Sequence, residues 1–540
     1  MKKLSFLFVL ILLTSCAKEF ESVDLLVQNG NIYTVNDGFE KAEAFVVRDG
    51  RIVEVGTTAA LQQKYMPKQI FEAGGQTIVP GLIDAHAHLY NLGASLQQVE
   101  LVGTTSYVEV LERVQAFQDE KNSDFITGRG WDQNDWEVKE FPTKKELDSM
   151  FPNTPVALTR IDGHAMIVNS KALEMAGITS ATKMEGGEVI LLDGKPSGIL
   201  VDTPMRLVRQ AMPEVTRKFM ENALLDATQK CLELGLTTIN EAGATRDVIE
   251  MMDSLQQVGE MKLRVYAMII NHEPDLAYYF DKGIVKTDFL NVRSVKIWGD
   301  GALGSRGAAM REEYSDQPGH VGAMIVTEAE MAALAKRIVD AGYQMNTHAI
   351  GDSANISTLR VYTEALKDVP DPRWKVEHAQ IVTPADFEMF SEKILPSVQP
   401  THATSDMYWA EDRVGPHRIK GAYSFKTLLD KSGIVALGTD FPVERVNPML
   451  TFYAAVARKD LDNYPEGGFR KEEGLSREET LRGMTIWAAY SNFEENEKGS
   501  IEAGKLADFV VLNTDIMTCE EQDIPKTRVL GTYVAGEKVY

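Results

Sequence analysis

The stretch TIVPGLIDAHAH, Thr77 to His88, runs from an apolar segment into an aspartate and two histidines at alternating positions. In an extended strand residues i and i+2 share a face, so Asp84, His86 and His88 project together. Two imidazoles on one side of a strand end place two nitrogen ligands within reach of a single ion. Histidines also fill cores and cap hydrogen bonds. The pair therefore gains meaning only if further ligands arrive at comparable strand ends.

Outward from this stretch, short β-branched runs alternate with helical segments. After TIVPGLIDAHAH come LTTINEAG (236–243), LRVYAMII (263–270), VRSVKIWGD (292–300), YQMNTHA (343–349), WKVEHAQ (374–380), LPSVQPTH (395–402) and IVALGTD (434–440). Helical stretches such as TEAEMAALAKRIVDAG, with Gly342 as a stop signal, separate several of them. Eight such units predict an α/β fold built on a (β/α)8 TIM barrel, whose chemistry sits at the C-terminal ends of its strands.

Both chain ends have a different texture. VDLLVQNGNIYTV, EAFVVRDGRIVEVG, LADFVVLN and RVLGTYVAGEKVY read as short strands, with Asn29-Gly30 and Asp49-Gly50 as hairpin signals. Residues 22–80 and 490–540 are thus expected to form one small β-sandwich, leaving 81–489 to the barrel. Residues from about 101 to 225 are too long for an ordinary crossover and carry strand-like pieces of their own, DFITGRG, PVALTR and EVILLDG. They are read as an insertion overhanging the active face.

The first fifteen residues, a lysine pair followed by an apolar segment, read as a signal peptide. Its end, Leu13-Thr14-Ser15-Cys16, resembles the bacterial lipobox, with Cys16 as the lipidated N-terminus; an unlipidated secretory signal is the alternative. The expected location is the bacterial cell envelope, lipid-anchored and facing the periplasm or the outer membrane. A net charge of -23 argues against nucleic acid or an anionic membrane surface as partner, so contact with the membrane is expected only through the lipid. Cys231 and Cys519 lack metal-ligand spacing, which leaves the histidines to carry any metal argument.

Those histidines fall where a barrel needs them. The first strand ends in His86 and His88, the fifth in His348 and the sixth in His378, while Lys296 closes the fourth and Asp440 the eighth. Four of nine histidines at barrel strand ends is the pattern of a metal centre.

The motifs PGLIDAHAH, VKIWGDGALGSR, THAIGD, VEHAQ, SVQPTHATSD and ALGTDFPV, with GRGWD and RIDGHAMIVNSKAL in the insertion, resemble those of the amidohydrolase superfamily, and within it the amidohydrolase-3 or YtcJ-like group. The resemblance runs from about residue 22 to the C-terminus. It implies a barrel beside a small β-sandwich and a hydrolytic site of one or two divalent ions, with zinc expected. It further implies His86, His88, His348 and His378 as ligands, Asp440 as ligand and catalytic base, and Lys296 as a lysine carboxylated by carbon dioxide to bridge two ions. Carboxylation requires a neutral amine, which burial favours. The competing reading is a lysine held by Asp300 or Glu241, which would leave a mononuclear site.

Further residues are candidates for substrate contact: His402 in QPTHATSD, His164, Trp131 and Asp132 from the insertion, and Arg306 in GDGALGSRGA for an anionic group. Asp84 is expected to orient a ligand rather than bind the ion, and Glu241 to be structural. No GxSxG elbow is present, which argues against serine hydrolysis. The sequence thus points to a hydrolase of amide, N-acyl, N-formyl or cyclic-amide bonds acting on a small molecule. A mononuclear-metal deaminase and a non-catalytic lipoprotein binding module remain as alternatives, and a homo-oligomer is compatible with all three.

Overall fold

The computed structural model describes residues 20–540, so the expected signal peptide and the expected lipidation at Cys16 lie outside the described residues. Eight parallel strands form the central sheet: β1 (Leu82–Ala87), β2 (Leu236–Ala244), β3 (Arg264–Ile270), β4 (Leu290–Trp298), β5 (Gln344–Ala349), β6 (Trp374–His378), β7 (Ile394–Val398) and β8 (Ala436–Leu437). Each pairs with the next in sequence order, and β1 starts the series beside β2. All eight runs read from the sequence are strands of this barrel. Nearly every residue of them is buried, as parallel strands covered on both faces require.

Closure between β8 and β1 comes from residues just past the short eighth strand. Asp440 N donates to His86 O at 2.8 Å, and His88 N donates to Phe441 O at 2.8 Å. Asp84 adds a side-chain staple, accepting from Thr439 Oγ1 at 2.7 Å and from Thr439 N at 3.0 Å. Gly438 lets the two strand ends approach this closely, since a Cβ there would meet His86 N at 2.5 Å. Asp84 therefore sets the relative position of the two strands that carry His86, His88 and Asp440.

Helices cover the outside of the barrel. Arg217–Glu233 buries Ala223, Leu224, Ala227 and Cys231, at helical spacing, and packs against Leu89–Leu96. A Cβ at Gly93 would meet Ala223 O at 2.0 Å, so only glycine permits this contact. Cys231 is a packed core thiol and Cys519 is half-buried, both free.

Two further sheets use both chain ends. One has four strands, Glu21–Gln28, Ala44–Arg48, Arg51–Gly56 and Tyr65–Glu72; the other has six, including Asn31–Tyr33, Thr77–Pro80, Phe509–Leu512 and Val529–Val534. Leu25, Val27, Phe45 and Val47 of the first sheet pack on Ile78, Phe509, Val511 and Tyr533 of the second. Asp49 and Gly50 both take positive φ and turn a true hairpin. Asn29-Gly30 does not. The strands on either side of it belong to different sheets, and Asn29, at φ 54°, redirects the chain from one to the other. Sequence alone cannot separate a hairpin from a sheet switch, because both need the same left-handed turn residue. The sheet domain docks on the barrel through a buried bidentate pair, Arg264 Nε to Asp508 Oδ2 at 2.6 Å and Nη2 to Oδ1 at 2.9 Å.

The segment after Leu89–Leu96 folds as a separate six-stranded sheet spanning Val99–Asp202, flanked by Tyr107–Lys121 and shorter helices, with its own apolar core.

Candidate metal centre

At the C-terminal mouth of the barrel, a cavity of about 390 Å³ is lined by His86, His88, Lys296, His348, His378, His402 and Asp440. The strand-end residues singled out from sequence, spread over more than 350 positions, therefore meet in one place. His86 and His88 leave β1 two residues apart, with ring centroids 5.7 Å from each other. The His378 ring lies 4.7 Å from His86 and 4.5 Å from His348. His378 and Asp440 both hold left-handed backbone, at φ 72° and 63°, an unfavourable conformation for residues with a Cβ that recurs at functional sites.

Asp440 is the hub. His88 Nε2 stands 3.2 Å and His86 Nε2 3.6 Å from its Oδ1, and His402 Nε2 stands 3.3 Å from Oδ2. Oδ1 is buried and has no hydrogen-bond partner. A buried, unpaired carboxylate oxygen facing two imidazole nitrogens is a donor set suited to a divalent cation, so the residues present fit a metal. His86, His88 and Asp440 offer ligand atoms within 4.8 Å of one another.

The electrostatics agree with ligation. Burial, reinforced by the Lys296 charge, lowers the pKa of His86 and takes that of His348 down to about 3. Burial and the neighbouring histidines lower His378 well below its ordinary value. These imidazoles are neutral at physiological pH, as ligands must be. Burial opposes the charge of Asp440, but its hydrogen bond with His402 and its neighbouring imidazoles hold it ionised.

His402 behaves differently. Burial opposes its charge, yet hydrogen bonds to Asp440 and to Glu444, 3.1 Å from Nδ1, carry its pKa up to about 10. Its ligand atom also lies within 4.8 Å of those of His378 and Asp440. His402 is hydrogen-bonded to both Asp440 and Glu444 and so clamps the Asp440 carboxylate in place.

Lys296 is buried, and burial lowers its pKa to about 8. Its Nζ is 3.3 Å from His86 Nε2. Neither Asp300 nor Glu241 holds it. Asp300 accepts instead from Ala309 N, Ile350 N and Gly351 N at 2.8 to 3.0 Å, fixing the loops after β4 and β5. Glu241 accepts from Leu89 N and so anchors the helix that begins immediately after His88.

Three partners orienting the histidines escaped the sequence reading. Glu377 Oε2 lies 2.7 Å from His86 Nδ1, fixing the ring with Nε2 toward Asp440. Gln399 Oε1 does the same for His378 Nδ1 at 2.6 Å. Glu444 secures His402. Glu377 and Gln399 sit inside the motifs VEHAQ and SVQPTHATSD, and Glu444 directly follows ALGTDFPV.

Four expected substrate contacts are corrected by the structure. Trp131 is buried in the core of the insertion, and its Nε1 donates to Leu158 O at 2.8 Å, so it is a packed aromatic. Asp132 caps a short helical turn and pairs with Arg160. His164 is largely exposed and pairs with Asp202 at 2.7 Å. Arg306 is consumed by Asp316 through two contacts of 3.0 and 2.8 Å. None of the four lines the cavity.

A profile described as "Amidohydrolase family" matches residues 69–540. The chain belongs to the amidohydrolase family. Among curated proteins, it is 33% identical to Protein LONG AFTER FAR-RED 3 of Arabidopsis thaliana, covering 96% of this chain and 91% of that protein. It is 30% identical to putative amidohydrolase YtcJ of Bacillus subtilis, over 95% and 98% of the two chains. N-substituted formamide deformylase of Arthrobacter pascens is 27% identical over 95% and 97%. Among solved structures, an uncharacterized metal-dependent hydrolase of Pyrococcus horikoshii superposes with a TM-score of 0.74 at 26% identity, covering 92% of this chain and 99% of that one. The amidohydrolase scaffold, these neighbours and the histidine and aspartate donors together support a metal-dependent hydrolase.

Proposed function

We propose that the protein hydrolyses a carbon–nitrogen bond of an amide, N-formyl, N-acyl or cyclic-amide substrate, with His86, His88, His348, His378 and Asp440 holding one or two divalent ions, zinc by expectation. The observation that carries this is the unpaired Oδ1 of Asp440, buried among neutral imidazoles at the mouth of the barrel. The likeness to an N-substituted formamide deformylase supports the choice of bond.

A divalent ion bound by these residues supplies Lewis acidity toward a carbonyl and brings the pKa of water to about 7. Asp440 accepts the proton of the attacking water and delivers it to the departing nitrogen. His402 keeps Asp440 anionic and aimed, and Glu444 holds His402 in turn. Glu377 and Gln399 fix the tautomers of His86 and His378. Lys296, desolvated and free of a carboxylate partner, can react as the neutral amine with carbon dioxide, forming a carbamate N–C bond and releasing one proton. That placement favours an amide hydrolase over a mononuclear deaminase.

The test is a panel of N-formyl, N-acyl and cyclic-amide compounds with zinc or manganese added, followed by amine release. Turnover abolished by Asp440→Asn supports the reading. Uniform inactivity with tight ligand binding would favour a binding module. We further propose lipid attachment at Cys16, read by metabolic incorporation of labelled palmitate and its loss in Cys16→Ser.

A further inference from the structure

Beyond the catalytic ring, the same cavity is walled by Trp298 and Trp409 and by two carboxylates, Asp406 and Glu444. Asp406 Oδ2 accepts from Tyr423 OH at 2.8 Å and from Gln380 Nε2 at 3.1 Å, while its Oδ1 has no partner among the described residues and is not fully buried. Glu444 commits Oε1 to His402 and Ser405, and Oε2 makes no hydrogen bond. Two acceptor oxygens are therefore available beside two indoles.

Nearby guanidinium groups do not balance them. Arg306 and Arg413 both close on Asp316, and Arg413 Nε additionally reaches Gly304 O at 3.4 Å. Among the described residues, no arginine lines the cavity, and its one lysine is Lys296 in the catalytic ring. An anionic group in the outer half would face the free Asp406 Oδ1 and Glu444 Oε2 in a partly desolvated space, where like charges cost most, while His402 is already committed to Asp440 and Glu444. A cationic group would find two free carboxylate acceptor oxygens with apolar indole surface beside them.

The geometry points to a substrate whose nitrogen substituent ends in a positively charged amine or amidine, recognised by Asp406 and bounded by Trp298 and Trp409. This rests on the proposed hydrolysis only for the placing of the scissile bond at Asp440. Asp406 is assigned as the residue that sets this preference. Trp409 contributes apolar area regardless of charge.

The probes are N-benzylformamides carrying aminomethyl, hydroxymethyl or sulfonate at the para position, with binding to the full-length protein measured by calorimetry and turnover measured separately. The aminomethyl compound is expected to bind about tenfold more tightly than the sulfonate, with the hydroxymethyl compound between them. Asp406→Asn should remove most of that charge preference, whereas Trp409→Leu should weaken all three by a similar factor. Asp406 also receives two structural hydrogen bonds, so the ranking in the unaltered protein stands as a test that needs no variant. A sulfonate bound as tightly as the amine, no detectable binding of the amine, or an unchanged ranking in folded Asp406→Asn would each overturn the inference. Charge ranking without turnover of any probe would sink the hydrolysis while leaving this inference standing. Turnover with a preference for the sulfonate would do the reverse.

Discussion

Replacing Glu377 by glutamine separates a metal ligand held by its partner from a histidine that merely fills the barrel. The carboxylate is buried and ionised: burial opposes its charge, but His86, Lys375 and Lys296 outweigh that and hold its pKa at about 2. It receives the His86 Nδ1 proton across 2.7 Å. Glutamine keeps the shape and an acceptor oxygen but loses the charge. A hydrogen bond to a charged group contributes about 1.5–3 kcal/mol and a neutral one about 0.5–1.5, so the change removes roughly 1–1.5 kcal/mol of support for the Nε2-directed tautomer. That converts to about a tenfold loss of metal affinity, within the range of about 10–100-fold seen when the outer partner of a ligating histidine is changed. Competition against a chromogenic chelator reads this directly, with circular dichroism reporting the fold. Glu377→Gln binding zinc within about twofold of the parent, while folded, would refute the idea that Glu377 aims His86 at an ion.

Asp440→Asn should retain much of the bound metal yet lose about 10²–10⁴-fold in kcat, measured by amine release, because the amide cannot shuttle the proton. Asp508→Asn leaves Arg264 buried without its partner and should lower unfolding free energy by about 3–5 kcal/mol in urea titration. Trp131→Ala should destabilise the insertion by about 3–5 kcal/mol, read by thermal unfolding, while kcat/KM below the transition stays within about twofold. The Glu494 carboxylate is buried, but Lys498 and Lys286 overcome the cost and depress its pKa from 4.5 to about 2. Its stabilisation is therefore complete above about pH 4.5 and lost as pH falls toward 2, so Glu494→Gln should flatten that limb of a stability-versus-pH curve.

The barrel was legible in the sequence because each of its strands is short, buried on both faces and bounded by turn or helix signals, so every run was visible without knowing its neighbours. The metal site followed from the same logic, since a side chain at a strand's C-terminal end has only one mouth to point into. What escaped depends on distances across the fold. Trp131 looks identical as core or as pocket wall until the position of Leu158 O is known. Arg306 reads as an anion receptor until Asp316, ten residues on, is seen to occupy it. Glu377 and Gln399 were hidden for the opposite reason: polar residues inside a β run look like ordinary strand positions, and only the facing histidine gives them a task. Asn29-Gly30 carried a correct local signal whose consequence, a change of sheet, was decided by strands far away.

Elemental analysis of the purified protein tests the central claim most directly, comparing the parent with the His86→Ala/His88→Ala double variant after growth with zinc. The account predicts one or two equivalents of divalent metal in the parent and close to none in the folded double variant. A parent free of metal, or a variant that keeps its full complement, would contradict it.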